Sequence, residues 1–174
     1  MKQTNISVFI PHYGCTHICS FCNQKTISGH SEPVTEKELE SILEGQLENL
    51  KDSGTKAQIA FFGGSFTAID RDYMIRLLTV AKRYTDAYPE QYDGIRCSTR
   101  PDCIDEEILG FLKSYGMTAI ELGAQSMNDE VLTANRRGHT AQDVRRASRL
   151  IKQSGFELGL QMMTGLYKDT EQYC

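Results

Sequence analysis

Apolar positions in this chain alternate between two spacings, period two and helical. Residues 6–11 alternate and then run apolar, which predicts a first strand. A long stretch without periodicity follows, residues 12–33, too long for a casual connection and so expected to be a ligand-binding loop. Thr35 with Glu38 then predicts a capping box. Leu39, Ile42, Leu43, Leu47 and Leu50 recur at helical spacing behind it, and Gly54 marks the end. A short apolar strand is predicted over 57–62, stopped by Gly63 and Gly64. Asp70 caps a second helix with Met74, Leu77, Leu78 and Ala81 inward. A third strand at 95–99 leads to a helix capped by Asp105, carrying Ile108 and Leu112 and stopped at Gly116. A fourth strand at 118–122, a helix at 141–154 with Val144, Ala147, Leu150 and Ile151 inward, and a fifth strand at 157–163 complete the pattern.

Repeated strand-then-helix order implies parallel strands joined by right-handed crossovers. That is α/β architecture: a barrel or partial barrel, with a doubly wound open sheet as the alternative. Five strands are predicted, and the segment 167–174 reads as the start of a further element. The expectation is therefore a single domain over 1–174, truncated at its C-terminus. A sheet edge left unpaired in this way predicts aggregation, or a dimer that covers the edge.

Composition changes this picture little. With 40% apolar and 24% charged residues the chain is an ordinary globular one. No apolar run approaches the roughly 20 residues that span a bilayer, and the start lacks the regions of a signal peptide, so a soluble cytoplasmic protein is expected. A net charge of −4 argues against a generic nucleic-acid binder. One local basic cluster stands out: Arg136, Arg137, Arg145, Arg146, Arg149 and Lys152. Within it Arg145, Arg149 and Lys152 recur at helix spacing and predict either a phosphate-meeting stripe or a solvated helix face. His139 is expected to be structural, capping the helix that follows.

The cysteines carry the chemistry. Three of six fall in the phrase HYGCTHICSFCNQ, spaced Cys-x3-Cys-x2-Cys as Cys15, Cys19 and Cys22. Thiolates are soft ligands that hold iron–sulfur clusters, and three of them leave one iron of a 4Fe–4S cube open. A structural zinc site that adds His12 or His17 uses the same residues. Cys97, Cys103 and Cys174 are scattered and read as ordinary thiols.

This spacing, with Phe21 before the last cysteine, resembles the signature of the radical S-adenosylmethionine (SAM) superfamily. The resemblance implies a partial (β/α) barrel of parallel strands with outer helices. It also implies a 4Fe–4S cluster on Cys15, Cys19 and Cys22, and SAM chelated to the open iron. An electron from a flavodoxin or ferredoxin would then cleave SAM to a 5′-deoxyadenosyl radical. The family places a Gly-Gly-Glu-like motif where this chain has Gly63-Gly64-Ser65-Phe66-Thr67, with Ser65 in place of the acidic residue. By the same resemblance Ser65, Thr67, Arg100, Glu121, Gln125, Ser126 and Gln161, at or just beyond successive strand ends, are expected near SAM. Met162 is expected in the core. No catalytic residue beyond these cofactor contacts is assigned.

The phrases GGSFT, TRPD, AQSMNDEVLTANRRGHT and QMMTGL narrow the resemblance to the radical SAM domain of the Elongator complex catalytic subunit and its bacterial relatives. That family modifies the wobble uridine of tRNA using acetyl-CoA, which implies tRNA as a partner. The chain keeps the ordinary cysteine spacing rather than Elongator's longer first interval. It shows no acetyltransferase-like segment, so acetyl transfer is not expected of it. The competing expectations are a coproporphyrinogen-dehydrogenase-like or other small-molecule radical SAM oxidoreductase, and a non-catalytic metal-binding fragment.

Overall fold

The computed structural model describes residues 3–10, 15, 19–22 and 32–170. Five strands form one sheet: β1 (Gln3–Ile10), β2 (Lys56–Gly63), β3 (Tyr92–Thr99), β4 (Met117–Gln125) and β5 (Glu157–Met162). Every neighbouring pair is parallel and the spatial order is the chain order, β1-β2-β3-β4-β5. A doubly wound sheet reverses its strand order at a switch point. An unreversed order with right-handed crossovers places all helices on one face, as in a barrel wall. The helices are α1 (Glu36–Ser53), α2 (Arg71–Ala87), α3 (Glu106–Ser114), α4 (Asp129–Ala134) and α5 (Ala141–Gln153).

Strand alternation explains why the two faces of the sheet differ. Ile6, Val8 and Ile10 of β1, Ile59 and Phe61 of β2, Ile95 and Cys97 of β3, and Ile120 and Leu122 of β4 all belong to the buried core. They meet Leu39, Leu43, Met74, Leu77, Leu78 and Leu112 from the helices. The intervening positions carry the polar residues Asn5, Gln58, Arg96, Ser98, Glu121 and Gln161, beside Ala60, Phe62 and Ala119. With period two, these side chains share the opposite, concave face. A fully apolar strand set would suit a sheet covered on both faces. The polar half of this pattern marks a surface kept for something other than packing.

The predicted caps form. Thr35 accepts from the Glu38 backbone while Glu38 returns a bond to the Thr35 N–H, and Gly54 closes α1 in the left-handed region. Replacing Thr35 with alanine is expected to destabilise the fold by about 1 kcal/mol, read as a lowered urea midpoint with an unchanged slope. Asp70 and Asp105 cap α2 and α3, and Gly116 takes φ +80° just after α3.

Four expectations are corrected here. Ile42 is 36% exposed, because it falls at the border of the stripe set by Leu39, Leu43, Leu47 and Leu50. Met162 is 50% exposed, and Leu160 49%, since β5 pairs only with β4 among the described residues and its outward face is left uncovered. His139 does not cap α5; Thr140 does, in a second capping box with Asp143. The short helix α4 was not predicted, being too brief to show a period, although Asn128 caps it with its side chain on Glu130 and Val131. The residues His12, His17 and Cys174 lie outside the described residues.

Candidate cofactor site

The carboxyl ends of the strands open onto a cavity of about 930 Å3. Parallel strands present their site face there because each crossover begins at that edge. Cys15, Cys19 and Cys22 line one side of it, with Phe21. Phe62, Gly63, Gly64 and Ser65 come from the end of β2, Ser98, Thr99 and Arg100 from β3, and Glu121, Gly123 and Gln125 from β4. Gln161 of β5, Asn5 of β1 and Arg137 close it. Of the nine residues expected near SAM, seven line this cavity; Thr67 and Ser126 do not.

The β2 end is built by close backbone approach. Gly63 has φ +113°, and a Cβ added there would lie 2.7 Å from the Ile10 carbonyl oxygen. That same oxygen accepts from the Gly64 N–H at 2.7 Å. The Ser65 side chain turns inward: its Oγ lies 2.9 Å from Thr99 Oγ1 and accepts from the Arg100 N–H at 3.4 Å. Thr67 supports this joint from behind. Its Oγ1 lies 2.6 Å from Thr99 Oγ1 and donates to the Cys103 carbonyl at 2.8 Å. Arg100 is held by a two-pronged pair with Asp102, Nε to Oδ1 at 3.0 Å and Nη2 to Oδ2 at 2.9 Å. Asp102 therefore orients a cavity-lining cation.

On the other side, Glu121 accepts from Arg96 Nη1 at 2.9 Å and from Gln161 Nε2 at 2.7 Å, and Gln161 also reaches Ser98 Oγ at 3.4 Å. Gly159 makes room for this carboxylate, since a Cβ there would lie 2.9 Å from Glu121 Cγ. Gln125 sits at φ +66°, an uncommon conformation for a side-chain-bearing residue, where the register of β4 with β5 shifts. Ser126 is buried and its Oγ accepts from the Asn128 N–H at 3.1 Å, so it shapes the turn into α4.

Arg137 is the residue that sequence reading misplaced. It was grouped with a surface patch, yet it is 6% exposed. Its Nη1 donates to Cys19 Sγ at 3.0 Å and its Nη2 to the Gly123 carbonyl. Of the rest of that patch, Arg136, Arg145, Arg146, Arg149 and Lys152 are exposed, and Arg146 spends one N–H on the Ile104 carbonyl at 3.1 Å. Ser98 and Thr99, which the resemblance sets near SAM at the end of the third strand, line the cavity as well. Asn5, Phe62 and Gly123 were missed, and alternation along the strand was the available signal for Asn5.

The thiols differ in setting. Loss of solvent pushes the Cys15 thiol up, opposed by the Ser65 backbone N–H and the Arg100 charge, which favour thiolate. Cys97 is buried among β-sheet neighbours, and burial drives its thiol far up, with the Glu121 charge adding to the effect. It is a core residue without access to the cavity. Cys15, Cys19 and Cys22 line one wall, but among the described residues no three Cys, His, Asp or Glu side chains converge as ligands of a single ion do. Soft thiols beside a buried guanidinium fit an anionic iron–sulfur group. A Cys3His zinc site rests on His12 or His17, outside the described residues.

His139 is buried with Nε2 3.2 Å from the Ala124 carbonyl oxygen, which makes Nε2 the protonated nitrogen of a neutral ring. Burial, then the Arg137 charge, holds its pKa below the ordinary value. The unfolded chain therefore binds this proton more readily. The stability it supports is full above about pH 6.5 and is lost as pH falls through the folded value. Melting temperatures from about pH 7.5 down to about pH 5.5 are expected to fall more steeply in the wild type than in His139→Gln, whose amide keeps a donor for Ala124. Parallel curves would remove His139 as the cause.

A sequential parallel sheet with helices on one face, and with three cysteines facing polar strand ends, defines a barrel-wall fold with a cysteine-lined cavity at its carboxyl edge. The chain belongs to the radical SAM superfamily, whose family model matches residues 9–174. Its sequence is 33% identical over 148 residues to Elongator complex protein 3 of Danio rerio, covering 74% of this chain and 27% of that protein. It is 32% identical over 136 residues to the tRNA uridine(34) acetyltransferase of Methanocaldococcus jannaschii, covering 70% and 25%. The chain thus spans about a quarter of the length of these relatives. The fold matches an N-terminally deleted archaeal Elp3 from Methanocaldococcus infernus with a TM-score of 0.68 at 21% identity, over 94% of this chain and 38% of that one. It matches the coproporphyrinogen III oxidase of Escherichia coli with a TM-score of 0.65 at 18% identity, over 99% and 39%. No helix among the described residues is long and apolar enough to cross a membrane.

Proposed function

We propose that the cavity holds a 4Fe–4S cluster on Cys15, Cys19 and Cys22 with SAM beside it, and that the chain is the SAM-cleaving part of an enzyme that modifies a tRNA uridine. The observation that carries the reading is the meeting of three cysteines with the glycine turn of β2 and the polar ends of β3 to β5 in one cavity. A cluster and SAM held there would supply reductive cleavage of SAM to a 5′-deoxyadenosyl radical, the species that would abstract hydrogen from the substrate.

The chain's own residues bind and orient. Gly63 and Gly64 let the β2 backbone approach the amino acid part of SAM. Ser65 stands where the superfamily motif has an acid, and its bonds to Thr99 and Arg100 fix that turn. Arg100, steadied by Asp102, offers a cation to a carboxylate. Glu121, Gln125 and Gln161 offer acceptors and amides for ribose and adenine. Thr67 and Ser126 act behind them as supports. The open side of the cavity would take the substrate. The tRNA substrate follows from the names of the relatives, and the electron donor is a small redox protein such as flavodoxin or ferredoxin.

The test is anaerobic reconstitution of the full chain, with electron paramagnetic resonance of the reduced protein with and without SAM. A cluster signal altered by SAM is expected. Zinc in place of iron, or a signal indifferent to SAM, would defeat the reading. Cleavage of SAM stimulated by tRNA is expected next; stimulation by coproporphyrinogen instead would replace the tRNA assignment with the small-molecule one.

A further inference from the structure

The connection from α4 to α5 carries the phrase Asn135-Arg136-Arg137-Gly138-His139-Thr140, of which Arg137 alone lines the cavity. Asn135 and Arg137 hold the cysteine turn. Asn135 is 2% exposed. It accepts from Ser20 twice, its Oδ1 from Ser20 Oγ at 2.8 Å and its carbonyl from the Ser20 N–H at 3.2 Å. Its amide nitrogen donates to the Val131 and Tyr167 carbonyls at 2.8 and 2.9 Å. Asn135 thereby ties the cysteine turn to α4 and to the segment after β5. The turn itself is closed by the Cys22 N–H on the Cys19 carbonyl at 3.1 Å.

Arg137 does something different. Its guanidinium is buried, donates to Cys19 Sγ, and lies 5.8 Å from the Phe21 ring centre. Gly123 leaves the space it occupies, for a Cβ there would lie 3.2 Å from Nη2. Among the described residues no carboxylate pairs with it, and its Nε has no hydrogen-bond partner. A buried cation is costly unless an anion answers it. The sulfur of Cys19 stands here for the thiolate that would ligate iron. Hydrogen bonds to cluster sulfurs and nearby net charge set reduction potentials. A guanidinium does not lose its proton, so its charge is constant over the working pH range.

The geometry points to Arg137 as a positioning residue that raises the reduction potential of the cluster through Cys19, with Asn135 as a purely mechanical clip on the same turn. Gaining one electron makes the cluster one unit more negative, and a fixed positive charge at a ligand sulfur favours that state. The inference rests on the cluster reading above, and the electron comes from the one-electron donor named there.

The experiment is a redox titration of the reconstituted full chain, using dithionite and mediators and followed by electron paramagnetic resonance, with iron and sulfide counted for each variant. Arg137→Met is expected to shift the one-electron equilibrium at least tenfold against reduction, a midpoint about 59 mV more negative. Arg137→Lys, which keeps a charge but not the planar fork, is expected in between. Asn135→Ala is expected to lose iron while the cluster it retains titrates at the wild-type midpoint. Equal midpoints for wild type and Arg137→Met overturn the inference. If Arg137→Met retains too little iron to titrate, Arg137→Lys decides: a more negative midpoint upholds the inference and a wild-type one overturns it. A wild type that forms no cluster fails the cluster reading and this inference together, whereas a wild-type cluster with unmoved variants fails this one alone.

Discussion

Cys19→Ala is expected to abolish the visible absorption of the reconstituted protein and to reduce its bound iron to background. Three thiolates hold the proposed cluster, and of the other described cysteines Cys97 is sealed in the core while the half-buried Cys103 does not line the cavity. Cys97→Ala is the matched control and should retain iron, at a cost in packing only. The iron-free Cys19→Ala protein should also be less stable than the iron-free wild type. Removing Sγ takes the acceptor from Arg137 Nη1 and leaves a buried guanidinium with the Gly123 carbonyl alone. Orphaning a buried charged donor costs about 1–3 kcal/mol or more. Full iron content in Cys19→Ala would remove this residue from the ligand set, and unchanged stability would remove its pairing with Arg137.

The second large effect is expected at Gly63. Gly63→Val should lose most of its SAM affinity and melt well below the wild type. A backbone held at φ +113° is a conformation that side-chain-bearing residues rarely adopt, and forcing it costs on the order of 1–3 kcal/mol. The new Cβ would also meet the Ile10 carbonyl at 2.7 Å, a backbone atom that cannot swing away. Relief requires the ends of β1 and β2 to part, which moves Gly64 and Ser65 with them. Equilibrium dialysis with SAM and a thermal melt read the two consequences separately. A variant that melts far lower yet binds SAM as before would mean that the glycine turn serves the fold and not the ligand.

Much of the architecture was legible because its causes are local. Capping boxes, helical stripes and strand alternation act within a few residues, so α1, α2, α3 and α5 and all five strands were predicted close to where they lie. The Ile42 error came from the same rule applied too widely, since a residue at the border of a stripe satisfies the spacing without reaching the core. Met162 failed for another reason. An apolar residue at strand period is buried only if something covers that face, and along β5 the cover reaches Leu158, packed on the core, but not Leu160 or Met162. Helix α4 escaped because six residues make too short a period to recognise.

The chemistry divides along the same line. Cysteine spacing and the glycines at the end of β2 are contiguous in the chain, so the sequence by itself determined a three-cysteine turn, a close-approach turn and a parallel order of strands. Only the tertiary structure decided which polar residues share the cavity. That choice depends on strand register and on which side of the sheet each Cβ faces, and a shift of one residue reverses it. It placed Asn5, Ser98 and Gln161 on the concave face and put Thr67 and Ser126 behind it. It also turned Arg137 from one member of a basic run into a buried partner of Cys19. Charge along a chain says nothing about burial, and what buries an arginine is the meeting of segments far apart in sequence: here a cysteine turn, a glycine in β4 and the short connection after α4.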